Sequence, residues 1–229
     1  EGGKLQLDFA ARDIPLEDEL RDALTPGSRK LWKRLRPRGT IDHLKIGMTI
    51  WPARKEKSIH LVLRKWPREQ NVEGRDIALI PEWLPYRLEE VTGTLEYRDG
   101  HVTWDKIRAH HNGAQFAFGG EWQVQRDGRW QLLLDKLNVD RLPVDRDLIS
   151  ALPHRIRGIL NQLKLTQSVC ANGHVILSGQ PAGQTTANWD LQLDLAGGSL
   201  DFGCQFDHVH GGLRLAGGFD NRGLRSEGE

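Results

Sequence analysis

Residues 102–124 read Val102-Thr-Trp-Asp-Lys-Ile-Arg-Ala-His-His-Asn-Gly-Ala-Gln-Phe-Ala-Phe-Gly-Gly-Glu-Trp-Gln-Val124. Val102 and Trp104 alternate with polar residues before Asn112-Gly113, and Phe116 and Phe118 alternate after it. An Asn-Gly pair favours the tight turn of a β-hairpin. A period of two indicates strands with one apolar and one polar face. The stretch therefore predicts a hairpin in an antiparallel sheet.

The same alternation continues on both sides of this hairpin. Further alternating runs include Leu5, Leu7 and Phe9; Ile59, Leu61 and Leu63; Trp130, Leu132 and Leu134; Trp189, Leu191, Leu193 and Leu195; and Leu213 and Leu215. Turn-forming sequences separate the runs at Arg98-Asp99-Gly100, Arg126-Asp127-Gly128, Ala196-Gly197-Gly198 and Ala216-Gly217-Gly218. The pattern predicts a mainly β protein, an α+β meander of antiparallel strands with an extended shape.

An internal repeat organises these strands. Residues 5–41 match residues 133–169 at a constant offset of 128, and residues 88–95 match residues 206–213 at an offset of 118. A unit used twice builds a length of scaffold rather than a single active site. We therefore expect one repeat unit at 1–132 and a second, truncated unit at 133–229. The chain also resembles an excised piece of a longer repetitive protein.

One helical hairpin is predicted to interrupt the sheet in each unit, near 15–36 and 143–164. Both segments carry apolar residues at helical spacing, and such a side must be covered by the sheet. The repeat predicts that Leu20 is equivalent to Leu148 and Leu35 to Leu163. If Leu20 and Leu148 are buried, replacing either with alanine costs on the order of 2–4 kcal/mol.

The composition gives no support to functions that depend on a large net charge, such as nucleic-acid binding. The 229 residues carry a net charge of +1, and no apolar run approaches the ~20 residues that a membrane span requires. The one basic cluster runs from Arg29 to Arg38. It is interpreted either as a solvated helix face or as a contact for phosphates, with lipid headgroups favoured over DNA. Cys170 and Cys204 are either free thiols or, in an oxidising compartment, a disulfide.

Reactive constellations are scarce, so no catalytic residue and no cofactor is expected. His208 and His210 are a possible metal pair, but a zinc site needs three or four ligands. Acidic residues at 17–19 and 145–147 fall at predicted helix starts, where the helix dipole accounts for them. The glycine pairs lie between predicted strands and are interpreted as turns or bulges rather than phosphate loops.

Three phrases carry a resemblance to a known family: Asn138-Val-Asp-Arg-Leu-Pro-Val-Asp-Arg-Asp-Leu-Ile-Ser-Ala-Leu152, Leu88-Glu-Glu-Val-Thr-Gly-Thr-Leu-Glu-Tyr-Arg-Asp-Gly100 and Phe206-Asp-His-Val-His-Gly-Gly-Leu-Arg-Leu215. They resemble repeats of bacterial AsmA-like proteins, which are related to bridge-like lipid-transfer proteins. The resemblance implies a long antiparallel sheet curled into a half-open groove for phospholipid acyl chains. It also implies a periplasmic location, an inner-membrane anchor outside this chain and possible envelope protein partners.

The groove, if present, is expected to be lined by the apolar side of the central strands. The candidates are Leu95, Tyr97, Val102, Trp104, Phe116, Phe118, Trp122, Leu132, Leu134, Leu191, Leu193 and Leu213. An ordinary sheet core beneath the helices explains the same residues. The alternative function is therefore a structural or protein-binding repeat scaffold with a closed core. An enzyme ranks third, because the sequence offers no cluster of carboxylates for a cleft.

Overall fold

The computed structural model describes residues 3–24, 26–67, 75–82, 85–125, 127–152, 157, 167–181, 183, 185–196, 200–201, 204–206, 209–220 and 223–228. Its strands are β1 (Leu5–Pro15), β2 (Thr40–Trp51), β3 (Glu56–Lys65), β4 (Glu89–Arg98), β5 (His101–His111), β6 (Ala114–Val124), β7 (Trp130–Leu142), β8 (Val169–Gly179), β9 (Thr185–Ala196), β10 (Leu200–Asp201), β11 (Gln205–Phe206), β12 (His210–Asp220) and β13 (Gly223–Gly228). The helices are α1 (Asp18–Ala23), α2 (Pro26–Leu35) and α3 (Arg146–Ala151). A single 3-10 turn, Pro52–Arg54, joins β2 to β3.

Eleven of the described strands form one antiparallel sheet in the order β1-β2-β3-β4-β5-β6-β7-β8-β9-β12-β13. The order follows the chain, apart from the separate pair β10-β11, so the predicted antiparallel meander is confirmed. The sheet is open, with β1 at one edge and β13 at the other. Asp99-Gly100 and Asn112-Gly113 make two-residue turns in which all four residues have positive φ, as the tightest hairpins require.

The helical segments agree with the predictions only in part. In the first predicted hairpin, near 15–36, α1 and α2 are both helical. In the second, near 143–164, α3 is helical, whereas residues 153–156 and 158–166 lie outside the described residues. The expected equivalence of Leu35 and Leu163 therefore stays a prediction, as do the 128-residue repeat and its two units.

Register places the apolar alternating positions of neighbouring strands on one face of the sheet, because directly paired residues point to the same side. One continuous row crosses nine strands: Phe9, Ile46, Leu61, Tyr97, Val102, Trp122, Leu132, Leu177 and Ala187. We call this side the apolar face. The row behind it is mainly polar: Lys45, Val62, Glu96, Thr103, Glu121, Leu133, Ile176 and Asn188.

β-bulges keep the apolar residues on that face where the sequence period changes from two to three. Lys106 in β5 and Lys136 in β7 have left-handed φ values of 52°, and each coincides with a register shift. The residue after each bulge returns to the apolar face, so Ile107 pairs with Phe118, and Leu137 pairs with Gly173. A bulge also increases local strand twist.

Several glycines lie inside strands opposite tryptophans rather than in turns. Gly120 pairs with Trp104, and a Cβ at Gly120 would approach the Trp104 indole nitrogen to 2.7 Å. Gly179 pairs with Trp130 and would overlap its indole in the same way. The turn predicted at Ala216-Gly217-Gly218 was wrong, because β12 continues through it and Gly217 pairs with Trp189. A bare backbone beneath the ring lets a large aromatic side chain lie across the neighbouring strand.

Candidate functional site

All twelve predicted lining residues lie on the apolar face. Direct pairs join Leu95 to Trp104, Tyr97 to Val102, and Trp122 to both Val102 and Leu132. Leu193 pairs with Leu213 on one side and with Ala171 on the other. The other lining residues pair with further positions of the same face: Phe116 with Val139, Phe118 with Ile107, Leu134 with Gly120 and Leu191 with Gly173. The sheet therefore brings the whole predicted set together on one side.

Most of this face is only half-buried. Among the twelve, Val102 alone is buried, at 7% exposed, because Tyr97 and Trp122 flank it directly. Within the described part of the chain, no large side chain is fully buried, and the substantial contacts between elements join sheet neighbours, α1 to α2 and β10 to β11. No second layer of described elements packs over the middle of the face.

Most of the other buried residues of the sheet form a band along one margin. This margin is where β2, β4, β6 and β8 begin and where β3, β5 and β7 end. We call it the covered margin, and its buried members on the apolar side of the sheet include Asp42, Lys65, Val91, Ala109, Ala114, Val139, Val169 and Ala171. The remainder of the apolar face, which includes Phe118, Trp122, Leu132 and Leu134, is called the open stretch.

An aromatic cluster covers the centre of that margin. Tyr86 is 3% exposed, and its ring lies edge-on to His111 at 4.4 Å and to Phe116 at 5.9 Å between centroids. Leu148 and Ala151 of α3 complete the buried cluster, with Leu88, Leu142 and Leu152 packed against it. Phe116 is itself half-buried and packs against this small buried cluster.

Polar contacts hold α3 in place over this cluster. The side chain of Asp145 caps the helix by accepting a hydrogen bond from the Leu148 amide at 2.9 Å. Asn112, in the β5–β6 turn, donates to Asp145 at 3.1 Å and to Asp147 at 3.2 Å. Burial, with the nearby carboxylates of Asp145 and Asp147, raises the pKa of Tyr86 to about 12. The phenol is consequently neutral at physiological pH.

A buried ion pair fixes a second part of the covered margin. The Lys65 ammonium donates to Asp42 at 3.1 Å, to the Thr40 carbonyl at 2.9 Å and to the Arg75 carbonyl at 2.8 Å. The other Asp42 oxygen accepts from the Trp66 amide at 3.0 Å. All three donors of the ammonium are thus used, which makes its burial tolerable. The pair ties β2 and β3 to the segment at Arg75.

Sequence reasoning missed two parts of this arrangement. It left out Ile107, Leu137 and Val139. Ile107 follows Trp104 by three residues, Leu137 follows Leu134 by three, and Val139 precedes Leu142 by three. This spacing is visible in the sequence and marks the bulges. It also missed the covering role of Tyr86, because no periodic pattern surrounds that residue. A tyrosine next to Pro85, between two strands, gives no local signal of burial.

The polar face carries hydrogen bonds between histidine and glutamate side chains. His60 contacts Glu96 at 2.7 Å, and His101 contacts Glu121 at 2.9 Å. Across the described residues, no group of three or more His, Cys, Asp or Glu side chains could hold a metal ion. His210 is exposed at the start of β12, and His208 lies outside the described residues.

Both cysteines are free. The Cys170 thiol is half-buried and donates to Asp140 at 3.2 Å, whereas Cys204 is exposed. None of the helices in the described ranges is long and apolar enough to cross a membrane.

Comparison with known proteins returned no match: no family model, no curated protein and no solved structure resembles the chain significantly. A function can therefore be proposed only from the geometry of the sheet.

Proposed function

We propose that this chain is a segment of a periplasmic AsmA-like protein whose apolar sheet face shields phospholipid acyl chains during transport or envelope biogenesis. The observation that supports the proposal is the open stretch, a continuous apolar surface with no second layer over it in the described structure. In water such a surface is unfavourable unless something apolar covers it.

The size of this face is appropriate for lipid tails. Ten spacings of about 4.8 Å make the sheet roughly 48 Å wide, and three apolar positions per strand make the face roughly 20 Å deep. The outline of the whole face, covered margin included, is therefore on the order of 1,000 Å2.

The alternative, a protein-binding scaffold with a closed core, draws its support from the cluster around Tyr86. That cluster fills the face locally through Leu148 and Ala151. It does not extend to Phe118 or Trp122, which remain half-buried. The acyl-chain proposal accounts for both regions, since a binding face needs a closed structural end to hold the sheet.

The proposal includes a repeat of about 128 residues, a curled sheet, envelope protein partners and an inner-membrane anchor supplied by segments outside this chain. Two pairs of structural features support the repeat. The helices α1 and α3 begin 128 residues apart, at Asp18 and Arg146. Asp13 and Arg141, also 128 residues apart, both adopt left-handed φ values within a strand, 50° and 52°.

Native mass spectrometry after gentle extraction, together with uptake of a fluorescent phospholipid, tests the proposal. We expect co-purified phospholipid, and we expect Phe118→Glu to remain folded while losing it, because water reaches an open face and solvates the carboxylate. The matched control is Ala117→Glu, which adds the same charge to the adjacent position on the polar face and should retain lipid.

Two outcomes would oppose the proposal. Wild-type protein that neither carries nor takes up phospholipid would exclude acyl-chain shielding by this segment. A folded Phe118→Glu variant that binds lipid as the Ala117→Glu control does would exclude the open stretch as the binding surface.

A further inference from the structure

The basic cluster noted in the sequence forms one face of a helix. Segment 26–38 contains six basic residues and no acidic residue. Arg29, Lys33 and Arg36 follow the i, i+4, i+7 spacing that places side chains on one side of a helix. The Arg36 amide closes the last helical turn onto the Trp32 carbonyl at 2.8 Å, and Arg36 itself follows α2 directly with a left-handed φ of 48°. All three basic side chains are exposed.

Main-chain hydrogen bonds fix this helix to the covered margin. The amides of Ile80 and Glu82 donate to the carbonyls of Leu35 and Arg34 at 2.9 and 2.7 Å. Arg38 and Ala78 exchange two further bonds, at 2.9 and 3.0 Å. The basic side chains therefore project from a fixed support and not from a loose tail.

Acidic residues of the neighbouring helix offset this charge only in part. Arg21 of α1 already binds Asp18 at 2.7 Å and Asp22 at 2.9 Å. The hydrogen bond from Arg21 to Asp22 lowers the pKa of the Asp22 carboxyl, and the charges of Arg29 and Lys33 lower that pKa further. Segment 12–38 as a whole contains eight basic and five acidic residues, so a positive excess remains.

An exposed tryptophan lies at the same margin. Trp66 follows the last residue of β3 and is 50% exposed, although its amide is anchored to Asp42. Tryptophan is enriched at the interface between a membrane and water, where its ring is amphipathic. Basic side chains and an exposed aromatic residue on the same protein are complementary to an anionic bilayer, whose headgroups present phosphates above an apolar layer.

We propose that the basic face at α2, formed by Arg29 and Lys33 of the helix and by Arg36 directly after it, docks the covered margin of the sheet onto an anionic lipid surface by contacting headgroup phosphates. Docking is electrostatic and peripheral, with Trp66 at the interface. It is separate from acyl-chain shielding, because the basic face is built by α2 and the open stretch by the central strands.

Vesicle co-sedimentation of the whole chain tests this inference. Vesicles of phosphatidylcholine with about one third phosphatidylglycerol should bind the protein, and pure phosphatidylcholine vesicles should not. Binding should be lost when salt rises from about 0.1 M to 0.5 M, because screening shortens the reach of exposed charges. Each basic side chain at such a surface contributes about fivefold, so the triple variant R29Q/K33Q/R36Q should bind roughly 100-fold more weakly.

The matched control is K45Q/R64Q/R108Q, which removes three exposed basic residues from strands β2, β3 and β5. Circular dichroism verifies that both triple variants are folded. Equal losses in the two variants, or equal binding to neutral vesicles, would overturn the proposal, as would tighter binding of duplex DNA than of anionic vesicles at the same salt. Phe118→Glu should leave vesicle binding unchanged, so failure of docking and failure of acyl-chain shielding are distinguishable.

Discussion

The covered margin and the open stretch belong to the same face of the same sheet, yet they differ in what lies above them. At the margin, Tyr86, α3 and the segment at Arg75 close over the strand ends. In the open stretch, the substantial contacts of the described strands are with their neighbours in the sheet. In β6 the same alternation runs through both regions, with Phe116 at the margin and Phe118 in the open stretch. A period of two therefore indicates which side of a strand is apolar, but it does not indicate whether that side is covered.

A large effect is expected from introducing the same charge into the two regions. Phe116 and Phe118 lie two residues apart on the apolar side of β6, and Phe116 packs against the cluster of Tyr86, Leu148 and Ala151. Phe116→Glu should lower the free energy of unfolding by about 3 kcal/mol, because the half-buried ring loses its packing against the cluster and the carboxylate meets buried apolar groups. Phe118→Glu should cost less than about 2 kcal/mol, because among the described residues this half-buried ring has no such cluster packed against it. Urea unfolding measures both, and equal losses would show that both positions are equally covered.

The buried ion pair gives a comparably large effect. Lys65→Met leaves Asp42 buried without its ammonium partner, and we expect a loss of about 3–5 kcal/mol. Arg64→Met changes the adjacent, exposed residue on the polar side and should stay within about 0.5 kcal/mol. Chemical denaturation of the two variants compares them. A Lys65→Met protein as stable as the control would mean that the margin at β2 and β3 is not held by this pair.

The two helices that begin 128 residues apart should respond unequally to truncation. The sequence predicted the same cost for Leu20→Ala and Leu148→Ala if both were buried. Leu148 is 9% exposed and belongs to the cluster, whereas α1 has no buried residue. We therefore expect about 2–4 kcal/mol for Leu148→Ala and about 1 kcal/mol or less for Leu20→Ala. Thermal unfolding checks the difference, and equal costs would restore the original expectation.

The sheet, its order and its apolar face could be predicted because each depends on local signals. Alternation marks the strands, and pairs such as Asn112-Gly113 place the turns. The same logic failed at Gly217-Gly218, since a glycine beneath a tryptophan has the same local sequence signature as a glycine in a turn. Only the pairing of Gly217 with Trp189 distinguishes the two cases.

Coverage could not be predicted because it depends on contacts between distant segments. Tyr86 meets Leu148 across about sixty residues of sequence, and Lys65 meets Asp42 across a hairpin. The bulges were missed although they do leave a local signal in the sequence. They change the spacing of apolar residues from two to three at Trp104 and Ile107, a signal that a strict search for alternation discards.

The smallest expected effect is spectroscopic and examines the covered margin without destabilising it at neutral pH. The chain has two tyrosines, so Tyr97→Phe leaves Tyr86 as the only one. The folded-state pKa of Tyr86 is raised to about 12, above the ~10 of an exposed phenol, because burial and the carboxylates of Asp145 and Asp147 disfavour the phenolate. The stabilisation linked to the neutral phenol is therefore fully present below pH ~10 and is lost as pH rises towards 12.

Tyrosinate absorbance in the Tyr97→Phe variant should reach half its change near pH 12 in native protein and near pH ~10 in guanidinium. A midpoint near ~10 in protein that retains native circular dichroism would show that water reaches Tyr86, and the distinction between a covered margin and an open stretch would fail at its centre.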